Sequence, residues 1–325
     1  TYSARRGECD PAGNVPQKLS GSAAEKVMDL LMAPLKSLAL GVLHMEHYRT
    51  LLSFLSFQAR KEVATAMVDN ILEGDRPLTS VDTVQSLFQF ISPLLKDEND
   101  TPNEEGNDAD AFVQEQLQVC RLVHQIRPGN VDVAFQMLSA MRLFFGEGGL
   151  QRLAYTLVPV FYFALSLIPA IQELDWRRSQ GEDVLQPNVV TSKRVLQFAH
   201  KTCAALVQAA PQAALRLWLF AAAQADHADR ALEPRGVFQA ICNEFVSQGL
   251  ICLEDAITES GNQFAAIQTL VGTLTRLDCL GSEEFDALAQ KTTQHAARLL
   301  KKPMRCRAVA ACSHLFWCEA RKDGK

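Results

Sequence analysis

The chain has 325 residues, 48% of them hydrophobic and 21% charged, with a net charge of −5. That length suits one large or two medium globular domains, and the acidic balance leaves no general basic field for nucleic acid. The nine cysteines, at positions 9, 120, 203, 242, 252, 279, 306, 312 and 318, form no CxxC pair. This argues against a disulfide scaffold and fits free thiols in a reducing compartment.

The first 22 residues, TYSARRGECDPAGNVPQKLSGS, have no apolar core segment, which predicts no signal peptide. They read as a poorly structured segment ahead of one helical array over residues 23–325. Residues 57–72 put Val63, Met67 and Ile71 on one helical face. Ser80 is placed to cap a helix through Val84, Leu87 and Ile91 that fades at Pro93. An acidic run, KDENDTPNEEGNDAD, reads as a solvated loop. Helices follow over residues 108–127 and 130–145, parted by Pro128-Gly129 and stopped by the glycines at 146–149.

Residues 153–171, LAYTLVPVFYFALSLIPAI, carry no charge and are nearly long enough to span a bilayer. Two prolines interrupt them, and a helix buried on all sides and kinked near Pro159 is the reading preferred over a membrane span. A solvated loop, WRRSQGEDVLQPN, separates it from the next helix. Further helices are expected over residues 190–209, 211–225, 237–257, 261–276 and 282–300, with a last one beginning near Pro303. Strand patterns are nearly absent. About a dozen helices joined mostly by tight turns imply antiparallel neighbours. Their spacing is near the roughly 40–47 residues of irregular HEAT-type repeats, so an all-α, HEAT-like α-solenoid of antiparallel helix pairs is expected, with a compact bundle as the alternative.

Catalytic motifs are missing. There is no GxSxG elbow, no Walker A loop and no HExxH. GEGGLQR, residues 146–152, opens a helix and is shaped to hold an anion, but it follows a helix rather than a strand and reads first as a tight turn. His44 and His47 stand one helical turn apart and are spaced to share a metal, without the carboxylates or cysteines that would complete a site. His124, His200, His227 and His295 stand singly. No catalytic, cofactor-binding or metal-binding residue is assigned, and no cofactor is expected.

The last helix, LKKPMRCRAVAACSHLFWC, is more informative. At about 100° per residue, Met304, Ala308, Val309, Cys312, Leu315 and Phe316 share one arc, the expected packing face. Arg307, Ala310, Ser313, His314 and Trp317 fall opposite. An aromatic beside an arginine and a histidine, off the packing stripe, is either covered by a further helix or part of a partner-binding surface.

LKKPMRCRAVAACSHLFW is similar to the L-K-K-P…R-A-V…C-x-H-L-F-W segment of the vacuolar protein sorting-associated protein 35 family, the large subunit of retromer. FFGEGGLQRLAYTLVPVFYFAL, FAHKTCAALV and LEDAITESGNQFAAIQTLVGT also resemble that family, in order, from about Leu35 onward. The resemblance implies an irregular HEAT-like solenoid without catalysis, acting as a scaffold in endosomal cargo retrieval and retrograde transport. It implies a cytoplasmic protein, peripheral on endosomes through its partners. It further implies that the C-terminal half binds a subunit of metallophosphoesterase fold, with His314 at the contact and Arg307 and Trp317 beside it, and that Glu259 matches the family's acidic D-S-K-A-Q position. The P-R-L-Y-L motif of the arrestin-like subunit's binding region is missing, and family members continue beyond H-L-F-W, so the chain reads as an internal fragment or a shortened form. A generic solenoid adaptor of another transport or coat complex is the nearest alternative; an all-α enzyme using His44 and His47 and a single-span membrane protein are the others.

Overall fold

The computed structural model describes residues 19, 21–96, 108–181 and 190–317. Most of the expected poorly structured segment over residues 1–22 and most of the acidic loop lie outside these; of the former, Leu19 donates its N–H to the Phe54 carbonyl and Ser22 already belongs to the first helix. Among the described residues the structure is helical throughout, with one isolated parallel bridge, Leu78 to Ile126, in place of any sheet. The chain divides into two compact units, Thr1–Arg127 and Pro128–Lys325.

The first unit contains α1 (Ser22–Leu38), a 3-10 helix (Ala39–His44), α2 (Tyr48–Ser53), α3 (Phe57–Glu73), α4 (Val81–Phe90), α5 (Ser92–Leu95), α6 (Asp108–Arg121) and a second 3-10 helix (Leu122–Gln125). Val63, Met67 and Ile71 of α3 are fully buried, as their spacing requires. The Thr83 N–H donates to the Ser80 hydroxyl at 3.2 Å, the expected cap of α4. Two expectations shift. Pro93 does not end the helical path but enters the first turn of α5, where its missing N–H is harmless. The helix expected to reach residue 127 tightens into a 3-10 turn after Arg121, and the bridge to Leu78 draws the following residues into extended backbone.

The second unit contains α7 (Val131–Gly146), α8 (Gly149–Ser179), α9 (Ser192–Leu206), α10 (Pro211–Arg230), α11 (Gln239–Ala256), α12 (Ser260–Leu274), α13 (Ser282–Arg298), α14 (Lys302–Cys312) and a 3-10 helix (Ser313–Leu315). Consecutive helices are antiparallel. The Cys252 thiol, late in α11, donates to the Pro211 carbonyl that opens α10, while Cys242, early in α11, donates to Ala222 farther along α10. Alternate helices run parallel. Phe135 meets Phe198 at 5.4 Å and Arg142 donates to Thr202 at 3.0 Å, tying α7 to α9. Tyr162 meets Phe220 at 5.0 Å and Gln172 donates to the Ala228 carbonyl at 2.7 Å, tying α8 to α10. Within this unit, two layers result: α7, α9, α11 and α13 in one, and α8, α10, α12 and α14 in the other. This is the HEAT-like stack of antiparallel pairs.

Helix α8 runs unbroken through Pro159 and Pro169. It is long and apolar enough to cross a membrane, as is the run Ser22–His44. It buries Leu153, Leu157, Phe161, Leu165 and Ile168, and packs on α7, α9 and α10. Gly149, at φ +73°, makes the sharp entry to α8 that a side-chain-bearing residue would adopt only under strain. Two buried acids of α10 are consumed by loops. Asp226 accepts from the backbone N–H groups of Asp278 and Cys279 and from Arg230, and Asp229 accepts from those of Gly236 and Phe238.

Candidate protein-binding site

Helix α14 starts at Lys302 with Pro303 in its first turn. Ala308, Cys312 and Leu315 are buried, because α14 and the 3-10 turn after it pack on α12 and α13. A helical wheel through residue 317 does not hold beyond Cys312. The α-helix stops at Cys312, and a 3-10 turn advances roughly 120° per residue rather than 100°. Phe316, assigned by the wheel to the packing face, is 64% exposed. Val309, also assigned to that face, is exposed as well.

Arg307, His314 and Trp317 are all exposed. The Arg307 guanidinium lies 5.0 Å from the centre of the Phe264 ring on α12, a cation–π contact that holds it in the groove between the two helices. His314 follows two turns later on the same flank. Trp317 is 83% exposed. Glu259 stands at the N-terminal end of α12, exposed, where its carboxylate accepts from the Asn262 amide at 2.6 Å. Since α12 and α14 run side by side in one direction, twelve residues of helical rise, roughly 18 Å, separate Glu259 from His314. Arg307, His314 and Trp317 therefore form one end of a surface, and Glu259 lies at another.

That surface is larger than the predicted residues. Along the layer formed by α8, α10, α12 and α14, residues 149–172, 211–225, 260–277 and 300–317 contain no aspartate or glutamate. The exposed side chains there include Tyr162 of α8, Arg216 and Phe220 of α10, Ala265, Gln268 and Thr269 of α12, and Arg307 and Ala310 of α14. Arg216, Asn262, Ala265 and Thr269 line a small groove between α10 and α12. By contrast α11 and α13, in the other layer, carry Glu244, Glu254, Asp255, Glu283, Glu284 and Asp286. Of this face, the last helix and Glu259 were singled out from the sequence. The missing acids were readable there, but which helices share a layer was not.

The other sequence candidates do not assemble a chemical site. His44 ends a 3-10 helix and His47 precedes α2, with an extended Met45 between them, so they do not share a helical face. His200 packs edge-on against Trp218 at 4.8 Å, with its Nε2 3.5 Å from Glu244. Among the described residues, no group of three or more His, Cys, Asp or Glu side chains is placed to hold a metal ion. Residues 146–152 end α7 at Gly146, turn through Glu147 and Gly148, and open α8.

The model of the family described as vacuolar protein sorting-associated protein 35 matches residues 5–325. The chain is 33% identical to vacuolar protein sorting-associated protein 35B of Arabidopsis thaliana over 96% of its own length and 38% of that protein's. It is 32% identical to protein 35A of the same plant, over 95% of this chain and 39% of that one. It is 28% identical to the Dictyostelium discoideum protein 35, over 91% of this chain and 37% of that one. The chain thus spans under two-fifths of the length of these relatives. A match over nearly all of its residues, on a stack of antiparallel helices, places the chain in the vacuolar protein sorting-associated protein 35 family.

Proposed function

We propose that this chain is part of the large scaffold subunit of retromer, a non-catalytic protein that binds the metallophosphoesterase-fold subunit and supports endosomal cargo retrieval and retrograde protein transport. The observation that carries this reading is the exposed cluster of Arg307, His314 and Trp317 at the end of the helix stack, in a member of this family. Arginine and tryptophan are the residue types most enriched where protein interfaces concentrate their energy. The cluster is held by α14 and its 3-10 turn, and needs no bound group to complete it. The protein sits in the cytoplasm, peripheral on endosomes through its partners, and the arrestin-like subunit engages a region outside this chain.

Affinity measurement with the purified metallophosphoesterase-fold subunit tests the reading. Saturable one-to-one binding is expected, and absence of binding by the intact chain refutes it. In cells, alkaline carbonate should release the chain from membranes; retention in the pellet would instead assign α8 or the run Ser22–His44 to the bilayer.

A further inference from the structure

We propose that the acid-free middle of the face formed by α8, α10, α12 and α14 carries a second docking anchor, formed by Tyr162, Phe220 and Arg216, and that the partner surface it receives is acidic. The proposal rests on the function just given and adds to it the anchor's location and the partner's chemistry.

Tyr162 and Phe220 meet edge to face at 5.0 Å across the α8–α10 seam, and both rings remain partly in solvent, 44% and 37% exposed. Phe161 lies behind them, fully buried and in ring contact with each. The pair is therefore seated on the core and rigid, which lowers the ordering cost that a contact residue brings to an interface. Arg216 is one turn before Phe220 on the same side of α10 and lines the groove toward Ala265 and Thr269 of α12. The next helix along carries Arg307 against Phe264. Aromatic rings and arginines thus alternate across the layer, from Tyr162 to His314.

Charge selects the occupant. The whole chain is acidic, at −5, yet this face has Arg216, Arg276 and Arg307 and no carboxylate within the four helical stretches named above. The bordering acids lie at helix ends: Glu173, Glu259 and Asp278 are exposed there, Asp278 paired with Arg230, while Asp226 and Asp229 are buried and turned to backbone N–H groups, so the middle of the face holds no carboxylate. A partner with carboxylates opposite the arginines and apolar atoms opposite the rings gains on both counts. A basic partner would meet unopposed like charge. Small side chains on α12, Gly261, Ala265 and Gly272, leave room for close approach between the two anchors.

The test uses the intact chain and the metallophosphoesterase-fold subunit at several salt concentrations. Arg216→Glu should weaken binding at least tenfold and flatten its dependence on salt. Arg216→Lys should retain most of the affinity, and Tyr162→Ala should weaken binding about tenfold without changing the salt dependence. The melting temperature should be near wild type for the Arg216 variants, whose side chain is exposed, and lowered modestly for Tyr162→Ala, whose ring is seated on the core, with the protein still folded. If the wild-type chain does not bind the subunit, this proposal and the function it rests on both fall. If it binds, and His314→Arg weakens it while Arg216→Glu leaves affinity and salt dependence unchanged, only the second anchor is refuted. Two further results overturn the proposal by naming another occupant: self-association of the chain that Arg216→Glu abolishes, or cosedimentation with anionic lipid vesicles that it abolishes.

Discussion

His314 and Leu315 are neighbours with opposite fates, one exposed and one buried in the 3-10 turn that follows α14. Their substitutions should separate binding from folding. His314→Arg puts a bulky permanent charge at the proposed contact, so affinity should fall at least tenfold while the melting temperature holds. Leu315→Ala should do the reverse, costing about 2–5 kcal/mol of stability by leaving a cavity. Titration calorimetry and thermal melts on both proteins check this; a lowered melting point with normal affinity for His314→Arg would make it a structural residue. The thiols divide by the same criterion. Burial, with Asp255 nearby, raises the Cys252 thiol to about 11, and burial with Cys252 alongside raises Cys203 well above the ordinary thiol range. A thiol reacts as its thiolate, so at pH 8 both should stay protonated and inert. Cys306 is exposed on α14. Brief alkylation followed by peptide mass spectrometry should label Cys306 well before Cys203 or Cys252.

At the scale of the helix, periodicity and capping were legible in the sequence because both are local. Asn130 accepts from the Val133 N–H at 2.8 Å and Ser80 caps α4 as its position implies. Ends governed by tertiary contacts were not legible. Helix α1 stops at Leu38, with the next residue, Ala39, at φ +46°, a conformation that normally calls for glycine and so leaves no sequence signal. The His44–His47 pair was misread for that reason, and the 3-10 turn at Ser313 misled the wheel at Phe316. Helix α8 carries the clearest energetic contrast. Phe161→Asp places an unpaired carboxylate among Phe220, Tyr162 and the α8 core, at a cost of several kcal/mol, enough to unfold the stack locally. Asn130→Ala removes one capping bond and should cost only about 1 kcal/mol. Denaturant titrations followed by circular dichroism should rank them in that order, and a wild-type midpoint for Phe161→Asp would refute the burial of that ring; α8 is not buried on all sides as expected, since Leu150, Tyr162 and Ser166 face solvent.

At the scale of the molecule, the division after Arg127 assigns the proposed function to one part of the chain. The sequence marks that boundary with Pro128-Gly129, a pair that ends any helix before it, although the reading of one array over residues 23–325 gave it no special weight. The second unit has the attributes of an autonomous folding unit. Trp218, Phe145, Phe161 and Phe245 are fully buried within it, and the loops after α10 and after α12 anchor their backbone N–H groups on Asp229 and Asp226 inside the same unit. Every residue of the proposed docking face, from Tyr162 to Trp317, lies there, and so does Glu259. A chain of residues 128–325 should therefore fold with helical content proportionate to its length. It should bind the metallophosphoesterase-fold subunit within about twofold of the intact chain, since no hot-spot residue has been removed. Circular dichroism and an affinity measurement on the shortened protein decide the matter. A folded but non-binding product would show that the first unit contributes contacts of its own, and a non-folding product would show that the two units share their stability.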